Sequence, residues 1–379
     1  MTKNTAQKSE TRLSISADFD SGNIVVQQII GDVAYLEIRK DHLSDFYQWF
    51  HFAVRGAKGR AVTLHITNCR QSAYPDGWQD YQARYSSAAG EWRCASTSYA
   101  EGILTIRHTP TADTVYFAYF APYTMAQHDA LVARSAQCAG VTHKVLGRSL
   151  DGQPIDYLTL GSGTKQVWLY GRQHPGETMA EWWMEGALEW LTDPENGTAR
   201  DLRSKATLHI IPNMNPDGSA RGHLRTNAVG ANLNREWAEP SLERSPEVLC
   251  VRNEMDKTGV DWSIDVHGDE SIPANFVAGF EGIPNWNDAQ GARFYAFRDA
   301  LAEHTPDFQT KLGYPKSGPG RANLKMSTNQ LANRFGAVAM TLEMPFKDHA
   351  TNPDQVHGWS PVRCKRLAHD CLSVLAAML

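Results

Sequence analysis

The stretch 165-KQVWLYGRQHPGETMAEWWMEGALEWLTD-193 joins two periodicities across one tight turn. Residues 165–171 form a short apolar run with the length and composition of a buried strand, and residues 178–193 place apolar side chains at the spacing of an amphipathic helix. Between them His174 and Glu177 stand three positions apart around Pro175 and Gly176. A strand, a polar turn and a helix in that order are the unit of an α/β fold, and polar groups in such folds gather at the carboxyl ends of strands.

The same alternation runs outward from this unit. Helical spacing covers 124–137, 245–259, 290–305 and 361–379, and strand-like runs cover 206–212, 260–267 and 336–344. This pattern predicts an α/β domain with a mixed sheet and helices on both faces. Residues 24–120 read differently. Short β-branched or alternating runs, such as 24-IVVQQII-30, 61-AVTLHI-66 and 114-TVYFAYF-120, are separated by turn-forming residues. They predict an antiparallel β-sandwich domain. The chain therefore divides into an N-terminal β-sandwich over 1–123 and a catalytic domain over 124–379. The aromatic runs of the first unit suit packing against the second as a cap, although steering of protein substrates is also open to it.

Composition excludes several roles. Lys and Arg number 37 against 42 Asp and Glu, a net charge of −5, so no basic footprint for nucleic acid is present. No apolar run approaches the ~18 residues of a membrane span. The polar start, residues 1–22, lacks the apolar segment of a secretory signal. Six scattered cysteines without a CxxC pair read as reduced thiols of a cytoplasmic protein. Oligomeric state leaves no mark in the sequence.

His174 and Glu177 alone are weak evidence of a metal site. A third candidate, His267 in 264-IDVHGDE-270, ends another strand. Two His and one Glu with an open fourth position form the ligand set of a hydrolytic zinc site, in which the ion lowers the pKa of water. The loop 213-NMNPDGSARGHLRTNAVGANLNREW-237 also starts at a strand end. Its Asn234-Arg235 pair suits a carboxylate, and its Arg225 suits polarisation of a carbonyl near the ion. Glu343 sits in the apolar run 337-AVAMTLEMPF-346. A carboxylate there costs several kcal/mol unless it is paired or functional. A general base for water would be such a function.

Taken together, 174-HPGE-177, 215-NPDG-218, 222-GHLR-225, 233-LNREW-237, 265-DVHG-268 and 341-TLE-343 resemble, in this order, the motifs of zinc carboxypeptidases. Within that family they are similar to the cytosolic carboxypeptidase subfamily, bacterial type. The segments 17-ADFDSGNI-24, 49-WFHFAV-54 and 119-YFAPYT-124 look like markers of that subfamily's N-terminal β-domain. The resemblance implies one Zn2+ ion held by His174, Glu177 and His267. It further implies Arg225 on the scissile carbonyl, Asn234 and Arg235 on the C-terminal carboxylate of a peptide or protein, and Glu343 as the base that later protonates the leaving amine.

Two departures stand out. Where many relatives have an acid that hydrogen-bonds a ligand histidine, this chain has Asn232, and an amide should hold the imidazole less strongly. Where digestive relatives have a mobile tyrosine, some 22 residues before the base, this chain has Arg321; Tyr314 is the nearest tyrosine. Arg321 or Lys325 is thus expected to line the specificity pocket and favour an acidic C-terminal side chain, the alternative being a solvated loop cation. Two other readings compete with a carboxypeptidase. An aspartoacylase-like deacylase shares the His-x-x-Glu…His plan but not the 215–237 loop. A non-catalytic binder of peptide C-termini would have no need of Glu343.

Overall fold

The structure, a computed structural model, describes residues 12–87 and 90–379; residues 1–11, half of the polar start read above, lie outside the described residues. A mixed seven-stranded sheet organises the second part of the chain. Its strands are β1 (Thr142–Arg148), β2 (Pro154–Leu160), β3 (Lys165–Gly171), β4 (Ala206–Ile211), β5 (Trp262–Asp269), β6 (Phe276–Ala278) and β7 (Val338–Pro345). They lie in the order β1-β2-β4-β3-β5-β7-β6. Strands β4, β3, β5 and β7 run parallel, while β1, β2 and β6 add antiparallel edges.

Helices cover the sheet, so every residue of β5 and β7 is buried. That is why these strands read as unbroken apolar runs interrupted only by chemistry-bearing residues. The β1–β2 hairpin and the helix Ser327–Phe335 are additions to the sequence reading. Most of β1 is exposed at the sheet edge and carries no apolar alternation, and the helix is only nine residues long.

Residues 12–120 build two five-stranded sheets, among the described residues. All their pairings are antiparallel except Val33–Glu37 with Val62–Ile66, which is parallel and departs from a purely antiparallel sandwich. Aromatic side chains join this unit to the seven-stranded sheet. Tyr119 stacks on Phe346, one residue beyond β7, with ring centroids 4.4 Å apart. Such contact fixes the two units against each other through apolar burial and ring stacking.

The helix Met125–Ala136 starts on a capping box formed by Thr124 and Gln127. It inserts His128 between Glu181, with Nδ1 2.5 Å from Oε1, and Asp156, with Nε2 3.2 Å from Oδ2. Burial alone would lower the histidine's pKa, but the charges and hydrogen bonds of the two carboxylates outweigh it and raise the pKa to about 10. Because the folded-state value lies above the unfolded one, this stabilisation is complete below pH 6.5 and disappears as pH rises through about 10. A His128→Gln variant should therefore be less stable than wild type at pH 6.5, with the gap narrowing toward pH 10. Urea denaturation of both proteins across that range checks it, and a pH-independent gap would contradict it.

Candidate metal centre and active site

Three parallel strands deliver the candidate site at their carboxyl ends. Strand β3 stops at Gly171 and the following turn carries His174 and Glu177; β5 carries His267; β7 carries Glu343 directly opposite His267 in register. His174 Nδ1 lies 2.7 Å from Glu177 Oε1, His267 Nδ1 lies 2.8 Å from Glu177 Oε2, and the two Nδ1 atoms are 3.1 Å apart. Tetrahedral ligands held about 2.1 Å from a zinc ion are roughly 3.4 Å from one another, so this donor set needs only a slight expansion to fit. Among the described residues it is the one cluster of His, Cys, Asp or Glu of this kind.

The outer ring nitrogens are also engaged, which orients the inner ones. Asp265 Oδ1 lies 2.9 Å from His267 Nε2, and Asn232 Oδ1 lies 3.0 Å from His174 Nε2. Carboxylate and amide partners of this kind hold a metal-binding imidazole in place. The three groups are shifted in different directions. Burial, aided by Arg225, lowers the His174 pKa to about 4, leaving the imidazole neutral as a ligand must be. Burial opposes ionisation of Glu177, but His174 and His267 outweigh it and hold the carboxylate below its ordinary range. His267 is shifted the other way: burial lowers its pKa, but Asp265 and Glu177 push it well above 6.5. The cluster thus calls for positive charge at its centre.

The surrounding motifs turn out to be scaffolding. Asn215 caps the helix Pro216–Arg221 by accepting from Gly218 N–H, and its amide donates to the Gln173 carbonyl at 3.0 Å. Gly218 meets Pro175 so closely that an added Cβ would come 2.3 Å from the proline ring, so a side chain there would push the 174–177 turn away. Arg172, in a left-handed conformation at φ 59, donates to the carbonyls of Tyr123 and Pro175 at 2.7 and 3.0 Å. Trp237 donates to Gln173 Oε1 at 2.8 Å, and Gln173 in turn donates to Asp265 Oδ2 at 2.7 Å.

A cavity of about 470 Å³ opens over the cluster, lined among others by Tyr74, Arg225, Asn234, Arg235, Glu270, Tyr314 and Glu343. A larger hollow, about 840 Å³, lies elsewhere beside Trp92 and Arg366; the smaller cavity is selected by its chemistry. Arg225 points its guanidinium to within 3.9 Å of Glu177 Oε1. Glu343 Oε1 accepts from Tyr314 Oη at 3.2 Å, and its Oε2 is buried without a partner. Asn234 Oδ1 accepts from Ser327 N–H at 3.0 Å, and Arg235 has no carboxylate partner among the described residues. Arg321 does not join the group. It is exposed outside the cavity lining, because its N–H closes a turn onto the Gly318 carbonyl and the loop packs on Gly282.

Sequence reasoning missed the part played by the N-terminal unit. Asp41 accepts from the backbone N–H groups of Leu224, Arg225 and Thr226 at 2.7, 2.8 and 2.9 Å and from the Thr226 hydroxyl at 3.0 Å. Phe46 and Tyr74 flank the Arg225 guanidinium, each with its ring centroid 5.5 Å away. No local pattern marks Asp41, since its partners lie more than 180 residues away.

This fold and site define a metallopeptidase of the carboxypeptidase class. The profile described as the cytosolic carboxypeptidase N-terminal domain matches residues 15–120, and the zinc carboxypeptidase profile matches residues 128–272. A metallo-carboxypeptidase of Burkholderia cenocepacia is 41% identical with TM-score 0.94, over 97% of this chain and 99% of that one. One of Pseudomonas aeruginosa, solved with (2-guanidinoethylmercapto)succinic acid, is 43% identical with TM-score 0.94, over 96% and 98%. Human cytosolic carboxypeptidase 1 is 30% identical over 63% of this chain, which spans only 24% of that protein. The chain belongs to the zinc carboxypeptidase family.

Two substitutions test the geometry. Asn232→Asp should tighten zinc binding by roughly tenfold or more, read by competition with a chelator; unchanged affinity would show that Asn232 does not tune His174. Asp41→Ala leaves three backbone donors without their carboxylate and frees the Arg225 loop. Peptidase kcat/KM should fall about 100-fold with zinc content retained, since small misplacements at a reacting centre cost that much. Full activity in Asp41→Ala would show that the loop holds its place unaided.

Proposed function

We propose that this protein is a zinc-dependent carboxypeptidase that removes C-terminal residues from peptides or proteins. One zinc ion held by His174, Glu177 and His267 would polarise the scissile carbonyl and lower the pKa of water. Arg225, 3.9 Å from Glu177 and clamped through its backbone by Asp41, is placed to stabilise charge developing on the carbonyl oxygen. Asn234 and Arg235 take the terminal carboxylate of the substrate. Glu343 removes a proton from the attacking water through its unpartnered Oε2 and returns it to the leaving amine. Burial pushes the Glu343 carboxyl up, reinforced by Glu177 and Asp269 against His267 and the Tyr314 hydrogen bond, and this strengthens it as a base.

The observation that carries this reading is the convergence of Glu343, whose Oε2 has no partner, and the His174, Glu177 and His267 cluster on one cavity that also holds Arg235, which has no carboxylate partner among the described residues. With Arg321 outside the lining and Arg225 and Arg235 assigned to the carbonyl and the terminal carboxylate, the lining keeps no Arg or Lys for an acidic side chain, so C-terminal Glu, Lys and Phe peptides should be cleaved without a preference for Glu. We place the junction of the two domains at 123/124, and the six unpaired cysteines support residence in the cytoplasm.

Glu343→Gln should reduce amino-acid release by at least about 100-fold while zinc and peptide binding persist. Removing metal with 1,10-phenanthroline should abolish release, and added zinc should restore it. Release that is indifferent to both treatments would refute the proposal.

A further inference from the structure

The Glu343 side chain is held by a single hydrogen bond. Among the described residues only the Tyr314 hydroxyl bonds to its carboxylate, 3.2 Å from Oε1, while Oε2 is buried without a partner. The terminal torsion of a glutamate is broad, so a carboxylate with neither oxygen anchored can turn, whereas one anchored oxygen keeps the other aimed at one place. Tyr314 lies in neither a strand nor a helix. Whatever fixes its hydroxyl therefore decides where Glu343 points.

Asp269, the last residue of β5, supplies that fixing. Its Oδ2 accepts from the same hydroxyl at 2.7 Å, and its Oδ1 accepts from the N–H groups of Ser271 and Ile272 at 2.8 and 2.5 Å. Both oxygens of Asp269 are thus engaged. Burial, then the charges of Glu343 and Asp269, push the Tyr314 phenol up, so it keeps the proton that the two carboxylates share. The loop behind the hydroxyl is tied down as well. Gln309 Oε1 accepts from the N–H groups of Lys311 and Leu312 at 2.7 Å each, and Gln309 Nε2 donates to the Asn275 carbonyl, next to β6, at 3.0 Å. Gly313 passes Phe276 so closely that an added Cβ would come 3.2 Å from its ring, and Tyr314 meets that ring edge-on with centroids 4.9 Å apart. Phe276 is itself the register partner of Glu343. A residue that is 45% exposed is in this way built to deliver one hydroxyl to two buried carboxylates.

We propose that Tyr314 is a positioning residue for Glu343, with Asp269 as its anchor: the hydroxyl holds Oε1 so that Oε2 faces the attacking water. It acts through Glu343 and not by touching the substrate. This rests on the carboxypeptidase reading.

Tyr314→Phe removes the hydroxyl and keeps the ring on Phe276. In the zinc-loaded protein kcat should fall at least about tenfold with KM within about twofold of wild type, since a hydrogen bond to a charged group is lost and no substrate contact is. Calorimetry should find equal peptide affinity in Glu343→Gln and Glu343→Gln/Tyr314→Phe. A crystal structure of Tyr314→Phe should show the Glu343 carboxylate turned from its wild-type place. An unchanged kcat, or a Glu343 that has not moved, overturns the proposal. So does a raised KM with weaker peptide binding, which would make Tyr314 a substrate contact. Separately, a wild-type protein that releases no amino acid from any peptide refutes the carboxypeptidase reading, while the position of Glu343 in the Tyr314→Phe structure still decides whether the hydroxyl holds it.

Discussion

The Glu177 carboxylate, sealed between two imidazoles at the floor of a cavity, is the constraint to which the rest of the structure answers. An ionised carboxylate in such surroundings is tolerated only with positive charge beside it, and the flanking groups are arranged to supply that. His174 is backed by Asn232, His267 is backed by Asp265, and Arg225 leans in from the loop. Each of these partners is held in turn. Gln173 bridges Trp237 to Asp265, and the Asn215 side chain ties the Gln173 carbonyl to a helix start. The result is a connected shell of hydrogen bonds in which two ring nitrogens and the Glu177 carboxylate face one another, an arrangement that could hold a metal ion.

The N-terminal sheets are part of this shell. A cap that only shielded apolar surface would meet the catalytic unit through rings such as Tyr119 on Phe346. Here it also places a buried carboxylate, Asp41, under three consecutive backbone N–H groups of the loop that carries Arg225. Hydrogen bonds to an ionised acceptor are about twice as strong as neutral ones, so this contact can hold a loop that lacks regular structure. Tyr74 reaches the cavity itself, and Gly77 presses against Glu270.

Much of this was legible in the chain. The strand-turn-helix at 165–193 showed the α/β plan because β3 is buried on both faces and its helix is amphipathic, two patterns that survive in one dimension. The β1–β2 hairpin was not legible, because most of β1 is exposed and no burial shapes its sequence. Motif residues separated in function once their contacts were seen. Asn215 and Gly218 serve the backbone, whereas Asn234, Arg235 and Glu343 face the cavity. Arg321 shows the limit of counting positions: the place where relatives carry a tyrosine does not say which way this loop turns, and here it closes on Gly318 and Arg321 is exposed.

By itself, the sequence determined which side chains can ligate, which strand ends carry them and which turn brings His174 and Glu177 together, since these depend on local periodicity and spacing. Only the tertiary structure decided that Asp265 and Asn232 orient the imidazoles, that Asp41, Phe46 and Tyr74 fix Arg225, and that Glu343 Oε2 is left without a partner. Apart from the Asp265–His267 pair, which shares one strand, those relations join residues from 58 to more than 180 positions apart, or turn on what is absent around a side chain. Long-range hydrogen bonds and unpaired buried charge leave no periodic trace in a chain; they exist only once the sheet and its cap have closed.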